Sequence, residues 1–168
     1  MTRAAVAVSL ALIAALAGCG RASHEPGAQS TGAGAQLERA AIAAGVVADP
    51  GRLDPAGAYS SASDRVCILR AGGGYRIGAS VDYGEGHGCV ARGTARGLGK
   101  LAISFGGTCR FEARFDGARL VFPPVLPEGC DSLCTGRASL SALVAGRLSE
   151  AESEAATLRG PDGKPLCG

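Results

Sequence analysis

Polar and hydrophobic residues alternate along the chain between positions 64 and 123. A period of two predicts strands that bury one face and leave the other wet. The alternation is clearest in three runs, at 75–83, 100–105 and 109–115. Glycine-rich segments separate the runs and are typical of turns. We expect about six strands in an antiparallel meander, which hides its edges by closing into a small barrel or by carrying a helix across one face.

Helical spacing replaces this alternation on both sides of the meander. Residues 36–47 carry apolar side chains at helical intervals and end at Asp49-Pro50-Gly51. Residues 138–148 place four apolar side chains on one helical face, at Leu140, Leu143, Val144 and Leu148. A second helical segment is expected from about residue 150 to residue 158. The predicted fold class is α+β, a meander forming a small barrel or strongly curled sheet, with a helical part at 124–168 packed on it.

The first 18 residues have a different pattern from the rest. A single charge, Arg3, precedes an apolar run from Ala4 to Ala17. The run is too short for a bilayer-spanning helix of about 20 residues, so it predicts an export signal. It ends in Leu16-Ala17-Gly18-Cys19, which resembles the lipobox of bacterial lipoproteins. The resemblance implies that residues 1–18 are a signal peptide and that Cys19 carries the lipid.

A lipidated Cys19 implies a membrane anchor without a transmembrane helix. Two or more fatty chains hold a protein stably on a bilayer. Gly20 follows Cys19, where an Asp would favour inner-membrane retention. The resemblance therefore implies the periplasmic face of the outer membrane, with inner-membrane retention left open. Residues 19–35 are rich in Gly, Ala, Ser and Pro and predict a flexible tether to a single domain at 36–168.

Cysteine usage and charge narrow the class of protein. Without residues 1–18 the chain has 16 basic and 15 acidic residues, because only Arg3 is removed, and this balance gives no sign of nucleic-acid binding. With Cys19 used for the lipid, six cysteines remain, and an even number in an exported chain predicts disulfides, with 15 possible pairings. The candidates are Cys67, Cys89, Cys109, Cys130, Cys134 and Cys167. A zinc site or a redox pair is the weaker alternative.

The segment DYGEGHGC at 82–89 is the candidate for site chemistry. Asp82, Glu85 and His87 could bind a metal or act as acid and base. Polar residues and glycines are equally typical of an ordinary hairpin tip, and a bridged Cys89 could not be a ligand. We therefore predict no cofactor, and we keep these three side chains as the candidates of an alternative enzyme or metal-binding protein.

Basic residues concentrate in the predicted meander, which holds nine against five acidic residues between positions 64 and 123. Five arginines fall on outward positions, namely Arg76, Arg92, Arg96, Arg110 and Arg114. They could gather anionic lipid head groups, lipopolysaccharide phosphates or an acidic protein. The alternative is a solvated strand face that resists edge pairing.

Common catalytic signatures such as G-x-S-x-G, H-E-x-x-H and the Walker loop are absent from the sequence. The motifs RVCIL, GYRIGA, DYGEGHGC, CRFEARFDG and CDSLCTGRASL resemble those of small cysteine-rich alphaproteobacterial lipoproteins, a likeness that implies no activity. A lipoprotein with a small barrel also resembles periplasmic inhibitors of C-type lysozyme, although this chain lacks the Trp of that family.

We predict a non-enzymatic, membrane-anchored periplasmic binding module. The enzyme and the lysozyme inhibitor are the alternatives.

Overall fold

The computed structural model describes residues 32–47, 49 and 51–168. The predicted signal peptide, Cys19 and the tether up to residue 31 lie outside these residues. Helix α1 covers Ala33–Ala43 and overlaps the helix predicted over 36–47, but it begins inside the segment predicted as tether. Among the described residues, no helix is long and apolar enough to cross a bilayer.

A closed antiparallel barrel is the main feature of residues 51–168. That range contains nine strands, β1 (Gly57–Ser61), β2 (Asp64–Ala71), β3 (Gly74–Asp82), β4 (Gly88–Gly97), β5 (Lys100–Ser104), β6 (Arg110–Phe115), β7 (Arg119–Val121), β8 (Cys134–Thr135) and β9 (Val144–Ser149). Eight of these described strands pair in a ring, because β3 pairs with β4 and β9 pairs with both β7 and β1. The short β8 pairs with the start of β4. The expected barrel is thus confirmed, with more strands than the six predicted.

The predicted alternation is present in β5, where Leu101 and Ile103 are buried and Lys100 and Ala102 are exposed. In β3 it is wrong at Gly78 and Ser80, which were expected on a wet face, because residues 77–81 are all buried. Aromatic rings fill the interior in two groups, Tyr59 with Phe115 and Phe105 with Phe111 and Phe122. Closure leaves the ring itself without an open edge, and inward side chains of this size fill an eight-stranded barrel.

The helix predicted over Ala138–Leu148 is wrong, and the fold is mostly β rather than α+β. The chain turns through Ala142, which has a positive φ of 56°, and continues as β9. Leu143 and Ala145 then alternate into the barrel. The helical spacing of the apolar residues is overridden because β9 completes the ring of hydrogen bonds between β7 and β1. A 3-10 helix covers Glu128–Leu133, and helix α2 covers Glu152–Thr157 inside the second predicted helical segment.

A second apolar cluster lies outside the barrel, against β1 and β2. Its buried members are Ala58, Cys67, Leu69, Ala155, Leu166 and Cys167. Helix α2 and the segment 159–167 cover this part of the outer surface. Gly78 of β3 shows how close the segment comes, since a Cβ at Gly78 would collide with the carbonyl of Leu166. Residues 66–69 of β2 are buried on both faces, with the barrel core on one side and this cluster on the other.

Three disulfides link the six cysteines of the described residues, as the even cysteine count predicts. The pairs are Cys67–Cys167, Cys89–Cys134 and Cys109–Cys130. The first fastens the 159–167 segment to β2. The other two fasten the 130–134 region to the start of β4 and to the residue before β6.

Removing Cys67–Cys167 with the Cys67→Ser/Cys167→Ser variant is expected to cost the most stability. This bridge spans 100 residues, against 21 for Cys109–Cys130. Loop-closure entropy predicts a loss of about 4 to 5 kcal/mol for the long loop and about 3 kcal/mol for the short one. Urea denaturation of this variant and of Cys109→Ser/Cys130→Ser measures the difference, and an equal or reversed order would contradict it.

Candidate functional site

The segment 82–89 contains the last residue of β3, the hairpin loop 83–87 and the first two residues of β4. The backbone N–H of Tyr83 donates to the carbonyl of His87 at 2.9 Å, and that of His87 donates to the carbonyl of Gly84 at 2.9 Å. Glu85 lies at the exposed tip with a φ of 53°. The geometry is that of a tight polar turn, which is one of the two interpretations left open by the sequence.

The polar groups of this hairpin are used to hold it in place. The Asp82 carboxylate accepts the Gly84 backbone N–H at 2.9 Å. His87 Nδ1 accepts the Arg137 backbone N–H at 3.3 Å. The Thr135 hydroxyl donates to the Gly86 carbonyl at 2.7 Å. The last two bonds and the Cys89–Cys134 disulfide fasten the hairpin to residues 134–137.

The structure does not assemble Asp82, Glu85 and His87 into a metal site. Among the described residues, no group of three His, Cys, Asp or Glu side chains could hold a metal ion. Cys89 is bonded to Cys134, so its sulfur is no thiolate ligand. What the geometry does show is a structural use for Asp82 and for one ring nitrogen of His87.

The outward arginines of the sequence separate into two sets. Arg92 contacts the 159–167 segment, where its Nε donates to the Pro165 carbonyl at 2.8 Å and its Nη2 pairs with the Asp162 carboxylate at 2.8 Å. The hydrogen bond from Arg92 lowers the pKa of Asp162. The other four, Arg76, Arg96, Arg110 and Arg114, are exposed and form no ion pair with any described residue.

Strand register brings these four arginines onto one surface of β3 to β6. Arg76 lies opposite Thr94, Thr94 lies opposite Ser104, and Ser104 lies opposite Arg110. These residues form one row across four strands. Arg96 lies two residues farther along β4, and Lys100 on β5 lies opposite Arg114. We call the surface formed by Arg76, Arg96, Lys100, Arg110 and Arg114 the basic face.

The basic face contains a shallow depression of about 480 Å³. Its floor is β5, where the outward side chains of Ala102 and Ser104 are short. Its walls are the longer side chains of the neighbouring strands, including Arg96 and Arg110. Glu112 also lines it and contacts Lys100 at 3.6 Å, with both side chains mostly exposed. The net charge of the residues that line the depression is positive, since Arg96 and Arg110 stand against the single carboxylate of Glu112.

A buried polar cluster, which the sequence interpretation missed, lies where β9 meets β1. Arg147 points inward, its side chain only 13% exposed. Its guanidinium lies 4.6 Å from the Phe115 ring centre and donates to the Tyr59 hydroxyl at 3.1 Å. It also donates to the Asp54 carbonyl and pairs with Glu150 at 2.7 Å. The signal was present in the sequence, because Arg147 continues the alternation of Leu143 and Ala145.

The same end of the barrel has a cleft of about 470 Å³, and two of the three arginines that line it, Arg70 and Arg147, pair with carboxylates. Arg70 pairs with Asp54 and with Glu152 of α2. Hydrogen bonds from the Arg70 backbone and side chain lower the pKa of Glu152. These pairs tie the segment before β1 and helix α2 to β2, so Arg70 serves to hold the fold together.

Tyr59 completes the buried cluster and makes stability depend on pH. Its hydroxyl donates to the Pro55 carbonyl at 2.5 Å, and burial raises its pKa from 10.0 to about 12, against the lowering effect of Arg147. The unfolded chain loses this proton near pH 10, whereas the folded chain keeps it to about pH 12.

The free energy of unfolding is therefore expected to fall as pH rises from 10 to about 12, by roughly 3 kcal/mol from Tyr59. Below pH 10 both states keep the proton and the contribution is fully present. Urea denaturation at pH 8 to 12 measures the slope. Tyr59→Phe should reduce the slope, although it lowers the stability at pH 8 by removing the hydrogen bonds of the hydroxyl with the Pro55 carbonyl and Arg147. An unchanged slope in Tyr59→Phe would contradict the assignment.

A closed barrel does not by itself specify an activity, because one fold supports many. The resemblances to bacterial lipoproteins and to inhibitors of C-type lysozyme come from sequence motifs and composition, and they stay predictions. No protein-family model, curated protein or solved structure matches this chain.

Proposed function

We propose that the protein is a lipid-anchored periplasmic lipoprotein whose barrel is a non-enzymatic module that binds an anionic envelope component through the basic face. The observation that carries the proposal is the set of four exposed arginines without ion pairs on neighbouring strands. Such a surface keeps its full charge for a partner, whereas paired arginines such as Arg92 do not.

The spacing of the charges supports joint action on one partner. Adjacent strands lie about 4.8 Å apart, and successive outward residues about 7 Å apart along a strand. The side chains of the basic face therefore lie within about one to two Debye lengths of one another at physiological salt. Their potentials add, which attracts a surface of opposite charge more strongly than any single arginine would.

The rigidity of the scaffold supports the same role. The arginines project from paired strands of a closed ring, and the Cys89–Cys134 disulfide links the start of β4 to β8. A surface that is ordered before binding loses little entropy on association. An anchor at Cys19 would add a high effective concentration at the membrane, so that a weak electrostatic contact of about 1 kcal/mol per basic residue would suffice.

The two alternatives from the sequence receive no such support. The enzyme or metal-binding alternative needs Asp82, Glu85 and His87 to converge, and the described hairpin uses Asp82 and His87 for its own hydrogen bonds. A small barrel suits a lysozyme inhibitor as well as any other binding module, and the fold alone does not separate them.

Binding of the mature chain carrying Cys19→Ser to lipid vesicles tests the proposal without the anchor. We expect binding to phosphatidylglycerol vesicles and none to phosphatidylcholine vesicles. Binding should weaken steeply between about 50 and about 500 mM salt, because the interaction is screened. Arg110→Glu/Arg114→Glu should reduce the affinity at least about tenfold, since two attractions become repulsions.

The matched control is Arg52→Glu/Arg137→Glu, which makes the same change in net charge outside the basic face. Its affinity should fall much less than that of Arg110→Glu/Arg114→Glu. Equal losses in the two variants would show that net charge alone attracts the protein. Binding that is insensitive to salt would likewise contradict a role for the basic face.

A further inference from the structure

Resting on the proposed function, we infer that the basic face contains a specific site for a phosphoryl group, and not only a diffuse positive charge. The site is the row formed by Arg76, Thr94, Ser104 and Arg110, joined by Arg96. The ligand class is a phosphomonoester or free phosphate.

The order of residues in this row is what distinguishes it from the rest of the basic face. Two hydroxyl side chains lie side by side at its centre, because Thr94 and Ser104 are register partners. An arginine lies beside each of them on the outer strand, Arg76 next to Thr94 and Arg110 next to Ser104. Long flexible guanidinium groups can thus close over a centre made of short donors.

The hydroxyl groups have donor capacity that the protein does not use. Neither the Thr94 nor the Ser104 hydroxyl makes a hydrogen bond to another described residue. A hydroxyl rotates to suit its partner and donates one proton, while a guanidinium supplies two parallel donors. A phosphomonoester offers three oxygens and up to two negative charges, which matches two hydroxyls between arginines.

The neighbouring row restricts where an anion can bind. Arg96, Ala102 and Glu112 are register partners across β4, β5 and β6. The Glu112 carboxylate repels an anion placed beside it, although Lys100 at 3.6 Å offsets part of that charge. The depression is therefore most favourable to an anion at the Thr94 and Ser104 end, with Arg96 reaching from the side.

The site is open to solvent, and this determines which phosphoryl-bearing molecules can enter it. The depression lies on the outside of the barrel and is lined by exposed Thr94, Arg96 and Arg110. A phosphoryl group can enter it while attached to a lipid in a membrane or while free in solution. The shared chemistry is the terminal phosphoryl group, and the two sources differ only in the rest of the molecule.

The test is the Thr94→Val/Ser104→Ala variant, which removes both hydroxyls and leaves the net charge unchanged. Backbone amide shifts of β4 and β5 are followed by NMR during titration with inorganic phosphate, again in the mature Cys19→Ser chain. Vesicle binding is measured with phosphatidic acid, a lipid phosphomonoester, and with phosphatidylglycerol, a phosphodiester.

In Thr94→Val/Ser104→Ala we expect the affinity for phosphate and for phosphatidic acid to fall about tenfold, because two hydrogen bonds are lost. Phosphatidylglycerol binding should stay within about twofold.

The swapped variant Thr94→Ser/Ser104→Thr keeps both hydroxyls and should keep the affinity of the wild type. The two variants are compared once their urea denaturation midpoints are shown to match. A difference in affinity then comes from the loss of the hydroxyl groups and not from partial unfolding. Saturable binding of inorganic phosphate supports a site open to both sources. Phosphatidic acid binding without a response to inorganic phosphate supports a site that needs the lipid carrier.

Two results would overturn the inference in distinguishable ways. In the first, Thr94→Val/Ser104→Ala binds phosphate and phosphatidic acid like the wild type, while Arg110→Glu/Arg114→Glu no longer binds phosphatidylglycerol vesicles. The basic face would then attract anions only through its total charge, and the phosphoryl site is rejected. If Arg110→Glu/Arg114→Glu binds phosphatidylglycerol like the wild type, the proposed function falls and the phosphoryl site falls with it.

Discussion

Closure of the barrel through the pairing of β9 with β1 is the constraint on which the other features depend. Without it β1 and β9 would be open edges, and the inward residues of the ring would face water. Arg147 lies where β9 meets β1. Its guanidinium donates hydrogen bonds to the Asp54 carbonyl and the Tyr59 hydroxyl and contacts the Phe115 ring. A buried charge is costly unless it is satisfied in this way. The closed ring in turn fixes the strand register that builds the basic face.

Covering elements are distributed unevenly around this ring. Helix α2 and the 159–167 segment lie over β1 to β3, where Leu166 and Cys167 bury the outer surfaces of Cys67 and Gly78. Arg92 marks the boundary, since it pairs with Asp162 of the covering segment. Beyond Arg92, no helix or loop segment covers the outward side chains of β4 to β6 in the described residues, and most of them are exposed to solvent. The surface proposed for binding is thus the side of the barrel that the protein does not use for its own packing.

Much of the barrel could be predicted from the sequence, because a period of two records which face of a strand is buried. The strand β9 was missed since Leu140, Leu143, Val144 and Leu148 also fit a helical face, and only the partner strands decide between the two. Disulfide pairing and the use of Arg92 could not be predicted, because both depend on residues far away in the chain. The alternation in the sequence placed Arg76 and Arg110 on an outward face, but only the strand register shows that they share a row with Thr94 and Ser104.

The Cys67–Cys167 bridge restricts the order in which the disulfides can form. Strands β3 to β9 and the other two disulfides all lie between these cysteines. A growing chain exposes Cys67 long before its partner exists, so Cys67 must avoid Cys89 and Cys109 while they emerge. The correct bond becomes possible only after the last strand has been synthesised. A chain cut short before residue 167 would keep Cys67 as an unpaired thiol on β2, which distinguishes it chemically from the finished chain.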